Sequence, residues 1–155
     1  MQKRLFAASA ALLTALTIGL AGCSSDSGTT ETAAEATASQ GTAAVIATPA
    51  APERVDVARF AEVVASPGVQ IIDVRSPEEF AEGHIEGAVN YNVEGSDFAT
   101  QIAGLDPAAT YAVYCRSGNR SQVAVDVMAK AGIAGIFELQ TGINDWAGAG
   151  QPVVQ

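Results

Sequence analysis

Cysteine, histidine and basic side chains are scarce in this chain of 155 residues, which has two cysteines, one histidine and 8 Lys and Arg against 17 Asp and Glu. Two cysteines, Cys23 and Cys115, cannot build a disulfide framework. A domain that holds one cysteine and one histidine, His84, does not supply a zinc cluster, so no metal site is expected. The formal net charge of −9 argues against nucleic acid as a partner and against electrostatic adhesion to anionic lipid. The apolar run at residues 5–20 is short for a membrane span, and the polar flank Gly22-Cys23-Ser24-Ser25-Asp26 has no stop-transfer pattern.

That apolar run follows Lys3 and Arg4 and ends in small residues, the layout of a secretory signal. Its end, Leu20-Ala21-Gly22-Cys23, resembles a bacterial lipobox. The resemblance implies cleavage before Cys23 and multiple acylation of that residue, since one acyl chain anchors weakly. Residues 1–22 are then a lipoprotein signal peptide, and residues 23–52 a lipidated N-terminus and flexible tether. Residues 24–52 are mostly Ala, Thr, Ser, Gly and Glu, a composition that cannot offset its chain entropy by burial. Residues 53–155 are long enough for one modest core. Without Lys3 and Arg4 the formal charge falls to −11, so lipid on Cys23 would have to hold the protein to the membrane. The expected location is the outer face of the bacterial cytoplasmic membrane or the periplasm, and the expected state a monomer.

Strand and helix signals alternate through residues 53–155. Residues 54–56 read as an entering strand, and Asp56 as the cap of a helix with Val57, Phe60, Ala61 and Val64 on its apolar face. Residues 69–74 form an almost continuous apolar strand, as in a parallel sheet covered on both faces. Ser76-Pro77-Glu78-Glu79 is a helix start with a capping serine, an early proline and a glutamate three residues after the cap. A short strand at 87–90, a helix at 97–103, a strand at 111–114, a helix at 122–130, a strand at 136–139 and a helix at 142–147 follow. In the 122–130 helix Val123, Val127 and Met128 stand at core spacing. The pattern predicts an α/β domain with a mostly parallel central sheet and helices on both faces.

In such sheets, sites form at the carboxyl ends of strands. Cys115 stands at one, inside the polar turn Cys115-Arg116-Ser117-Gly118-Asn119-Arg120-Ser121 and just before a helix. Backbone N–H groups, the positive end of a helix dipole and two arginines all favour its thiolate. Gly118 lets the loop curl so that amides converge on one atom. With Cys23 acylated, Cys115 has no disulfide partner within the chain.

Three ordered motifs carry a family likeness. Asp73-Val74-Arg75-Ser76-Pro77-Glu78-Glu79-Phe80 with Gly83-His84-Ile85-Glu86-Gly87-Ala88-Val89-Asn90 resembles the early signature of rhodanese domains. The Cys115 turn resembles their active-site loop, and Leu139-Gln140-Thr141-Gly142-Ile143-Asn144-Asp145-Trp146 their closing motif, where a second glycine is usual at Thr141. The resemblance implies a rhodanese-like three-layer fold and a sulfurtransferase. Cys115 would attack a sulfane donor such as thiosulfate, become a persulfide, and pass that sulfur to cyanide or a thiol. Arg116, Ser117, Gly118, Asn119, Arg120 and Ser121 would bind the small anionic substrate. No metal or organic cofactor is implied.

Two other readings stand beside this one. Phosphatases and arsenate reductases of the cysteine-loop type place an arginine six residues after the cysteine. Here Arg120 is five after it, which makes a tighter cradle. A sulfur-carrier module with little turnover of its own is the other. Asp73, Arg75 and Glu79 are expected to pair with one another and brace the fold. His84 is expected to brace a turn and Trp146 to plug the core, while Tyr114 either lines the site or packs the sheet.

Overall fold

The computed structural model describes residues 46–155. The expected signal peptide, the expected lipidation site Cys23 and the expected tether up to residue 45 lie outside the described residues. The elements run β1 (Glu53–Val55), α1 (Val57–Val64), β2 (Val69–Asp73), α2 (Pro77–Glu82), β3 (Ala88–Asn90), α3 (Phe98–Ala103), β4 (Thr110–Tyr114), α4 (Asn119–Lys130), β5 (Ile136–Leu139) and α5 (Gly142–Gly148). The five strands form one sheet in the order β1-β5-β4-β2-β3, and every pairing in it is parallel.

Alternation along the strands sorts side chains into two cores. Ala112 and Tyr114 of β4 and Phe137 and Leu139 of β5 meet Phe60 and Val63 of α1 and Ile143 and Trp146 of α5. Tyr111 and Val113 of β4 and Ile136 of β5 meet Phe98 and Ile102 of α3 and Ala124 and Met128 of α4. Cys115 belongs to this second core. Helices therefore cover both faces, as the near-continuous apolar strands require.

Caps form where the sequence places them. Asp56 accepts the Arg59 amide at 2.8 Å. Ser76 and Glu79 form a reciprocal capping box with Pro77 at the first position. Trp146 plugs the first core edge-on to Phe60, and its indole N–H reaches the Pro152 carbonyl at 2.9 Å. Tyr114 is packed into the sheet, and its hydroxyl accepts the Ile85 amide at 3.0 Å. His84 braces a turn, pairing with Val154 through backbone bonds and holding Nδ1 3.0 Å from the Phe80 carbonyl. Ile46 packs on the first core and Thr48 Oγ1 lies 2.6 Å from Thr110 Oγ1, so the end of the segment read as tether contacts the domain.

Expectations for particular side chains differ from the structure. Met128 is buried as expected and Val127 is half-buried, but Val123 is 57% exposed, because α4 turns Ala124 inward in its place. The charged trio also divides. Asp73 and Arg75 pair with each other in the interior, at 2.6 Å, and Arg75 also holds the Gly83 carbonyl. Glu79 points instead to α4.

Candidate active site

The connection from β2 leads outward to β3, whereas that from β4 leads the opposite way to β5. The carboxyl ends of β2 and β4 thus flank a topological switch point, where open α/β sheets leave a crevice. Cys115 sits there, directly after β4, with 1% of its surface exposed. Gly118, at φ 87°, swings the chain straight into α4, which begins at Asn119, three residues before the 122–130 span expected from periodicity. Asn119, Arg120 and Ser121 therefore form the first turn of the helix, whose amides have no partners within the helix. Gly118 N–H donates to Cys115 Sγ at 3.2 Å, and Sγ lies 3.4 Å from Ser121 Oγ. Burial opposes ionisation of the thiol. Hydrogen bonding from the Ser121 side chain, then from the backbone at Ser121, Ser117 and Gly118, outweighs it and lowers the Cys115 pKa.

A family model described as a rhodanese-like domain matches residues 56–149. The chain belongs to the rhodanese-like domain family. Among curated relatives, thiosulfate sulfurtransferase GlpE of Pseudomonas aeruginosa is 34% identical over 79 residues, 51% of this chain and 70% of that protein. Thiosulfate sulfurtransferase 16, chloroplastic, of Arabidopsis thaliana is 35% identical over 95 residues, 55% of this chain and 79% of that one. The crystal structure of a rhodanese-related protein from Thermoplasma volcanium superposes with a TM-score of 0.59 at 30% identity, covering 66% of this chain and 97% of that one. These relatives support a sulfurtransferase-type role for the family to which the chain belongs.

The closing motif of this rhodanese-like domain is the backstop of its cysteine loop. The first amides of α5 donate to the loop, Ile143 N to Cys115 O at 2.9 Å and Asn144 N to Arg116 O at 3.3 Å. Gly142, at φ 70°, lets the loop approach so closely that a Cβ there would lie 2.4 Å from the Arg116 carbonyl carbon. Thr141 has φ −110°, an ordinary conformation for a side-chain-bearing residue, so the departure from a double glycine needs no strained backbone.

The two loop arginines have different surroundings. Arg120 forms a two-pronged pair with Glu79, Nη1–Oε2 at 2.7 Å and Nη2–Oε1 at 2.8 Å, and reaches Glu94 at 3.4 Å. That pairing raises the Arg120 pKa and lowers that of Glu79. Arg120 is thus a strut from α4 to α2, still close enough to Cys115 for their charges to interact. Arg116 is exposed and, among the described residues, has no acidic partner. Ser117 and Asn119 are exposed beside it, while Gly118 and Ser121 are buried.

Sequence reasoning missed Glu138 and Arg54. Glu138 is 1% exposed, on the face of β5 that meets α4. Its Oε1 accepts from Ser121 Oγ at 2.5 Å and its Oε2 from Arg54 Nε at 2.5 Å. Arg54 also donates to the Gln140 carbonyl at 3.2 Å. One signal was available: a carboxylate inside a short apolar strand of a sheet covered on both sides has no solvent face to occupy.

Proposed function

We propose that this protein is a sulfurtransferase that carries sulfane sulfur on Cys115. The Cys115 thiolate attacks the outer sulfur of thiosulfate or a related donor. A new S–S bond forms to Cys115, the donor's own S–S bond breaks, and sulfite leaves with the electron pair. Cyanide or an acceptor thiolate then attacks the outer sulfur of the persulfide. The Sγ–S bond breaks, and the Cys115 thiolate is regenerated. The observation that carries this reading is the Gly118 amide aimed at a buried sulfur at the head of α4. Such amides stabilise negative charge on Sγ and on the terminal sulfur of a persulfide, as an oxyanion hole does for oxygen.

Arg116, exposed at the rim, is the group best placed to attract the anionic donor. The commitment of Arg120 to Glu79 and Glu94 leaves the cysteine loop no second unpaired guanidinium, among the described residues, to clamp a tetrahedral oxyanion, which disfavours phosphatase or arsenate chemistry. In this reading lipid on Cys23 holds the domain at the outer face of the cytoplasmic membrane, where the persulfide forms and is consumed.

Thiocyanate formed from thiosulfate and cyanide by the full chain, and lost in Cys115→Ser, is the expected result. A sulfur adduct of about 32 Da on Cys115 without turnover would replace catalysis by sulfur carriage. Absence of both would refute the reading.

A further inference from the structure

The hydroxyl of Ser121 has one proton and two claimants. Its Oγ lies 2.5 Å from Glu138 Oε1 and 3.4 Å from Cys115 Sγ. While Cys115 is a thiol, both contacts are satisfied, because Sγ–H donates to Ser121 Oγ and Ser121 donates to Glu138. Loss of the thiol proton ends that arrangement. A thiolate has nothing to donate and needs a donor. Ser121 can turn its single proton to sulfur only by withdrawing it from Glu138. Glu138 is 1% exposed, so solvent does not replace the bond it would lose. The Arg54 guanidinium on its other oxygen favours the carboxylate, a stronger acceptor than a neutral group.

We propose that the Glu138 carboxylate competes with the Cys115 sulfur for the Ser121 proton, and so restrains ionisation of the sulfur while the site is empty. The Gly118 amide, 3.2 Å from Sγ, draws negative charge onto the sulfur. Glu138 opposes it in two ways, by holding the shared proton and by like-charge repulsion. A persulfide ends the competition. Its Sγ is bonded to carbon and sulfur, has no proton, and passes the negative charge to the terminal sulfur, so Ser121 stays with Glu138. The restraint therefore falls on the bare thiolate, the form most open to alkylation and oxidation. It eases once sulfur is loaded. Around Glu138 the other charged groups are Arg54 and Glu53 on β1 and Asp126 on α4. Around Cys115 the charged group is Arg120 with its partners Glu79 and Glu94.

Glu138 touches neither sulfur nor substrate and is a positioning residue. The inference rests on the reading of Cys115 as nucleophile, and its test reads ionisation rather than turnover. In the full chain, the rate of Cys115 alkylation by iodoacetamide is followed from about pH 5 to 10 by peptide mass spectrometry. Glu138→Gln keeps the shape of the side chain, removes its charge and weakens its hold on the Ser121 proton. It should lower the midpoint by about one pH unit, roughly a tenfold gain of thiolate at a pH well below it. A merely structural role predicts the reverse, because a loosened head of α4 would take Ser121 and the Gly118 amide away from the sulfur. An unchanged or raised midpoint in Glu138→Gln overturns the proposal. Ser121→Ala removes the contested proton, so adding Glu138→Gln to it should move the midpoint less than half as far. An equal shift in both backgrounds would reduce Glu138 to a repelling charge and overturn the competition.

If the variants do not fold, infrared difference spectra of the unmutated protein decide. The pH is raised through the Cys115 midpoint, with protein alkylated at Cys115 as the reference. A carboxylate stretching band should shift as Glu138 loses the Ser121 hydrogen bond. No such shift would overturn the proposal. Missing thiocyanate with the alkylation shifts present would refute sulfur transfer and support the competition.

Discussion

Replacing Gly118 by alanine places a Cβ 1.9 Å from the Gln140 carbonyl oxygen, in a backbone with φ 87°. Real Cβ atoms essentially never come within 3.0 Å of another heavy atom, so loop and carbonyl must separate by about 1.1 Å. The carbonyl belongs to backbone that also accepts the Arg54 guanidinium, and it has no flexible side chain's freedom to retreat. Left-handed backbone at a residue with a side chain costs about 1–3 kcal/mol, before the separation is counted. For a domain of this size, each kcal/mol lowers Tm by about 4–8 °C, so a fall of about 10 °C or more is expected. The same displacement pulls the Gly118 amide from its 3.2 Å contact with Cys115 Sγ. A hydrogen bond to a charged group contributes about 1.5–3 kcal/mol, equivalent to roughly one to two pH units. Thermal melting by circular dichroism and the pH profile of Cys115 alkylation measure the two effects. An alanine variant with unchanged Tm and an unchanged alkylation midpoint would refute both the steric argument and the assignment of that amide to the sulfur.

Other perturbations follow from the same geometry. Asp73→Ala leaves the buried Arg75 guanidinium without its carboxylate and should cost about 3–5 kcal/mol in a denaturant melt; a loss under about 1 kcal/mol would mean that the pair behaves as an exposed one. Glu79→Gln breaks the strut to Arg120, for about 1 kcal/mol given its partial exposure. Because Arg120 lowers the Glu79 pKa in the folded state, the strut's contribution is present above the unfolded pKa and lost as pH falls through the folded value. The stability gap between the unmutated protein and Glu79→Gln should therefore close in acid, below the ordinary glutamate range; a gap independent of pH would refute the assignment. Arg116→Ala should raise the KM for thiosulfate several-fold, with Tm within about 0.5 kcal/mol equivalent of the parent; an unchanged KM would remove Arg116 from donor binding. Trp146→Ala should cost about 3–5 kcal/mol by melting, since the side chain is buried and its N–H is bonded.

Much of this domain is written locally. The capping box at Ser76 and Glu79, the Asp56 cap and the near-continuous apolar run of β2 depend on residues three or four apart, and they form as the spacing predicts. The strand, cysteine loop and helix around Cys115 are local in the same way, which is why the place of Cys115 between a strand end and a helix could be read from the chain alone. The start of α4 leaves no periodic signal because Asn119, Arg120 and Ser121 carry no apolar period, whereas the left-handed turn at Gly118 admits them to the helix. Val123 fails for a related reason: helical spacing defines a stripe, but not which edge of the stripe meets the sheet.

By itself, then, the sequence determined the α/β alternation, the place of Cys115 at a strand end, and the motifs that mark the family. Tertiary structure decided which charges act at the site. Arg120 meets Glu79 from 41 residues away, Ser121 meets Glu138 from 17, and Arg54 meets Glu138 from 84. Such pairs leave no periodic trace in the chain, because only the order of strands in the sheet brings β1, β5 and the head of α4 together. The amides around the sulfur are local. The carboxylate beneath it is held there by the sheet.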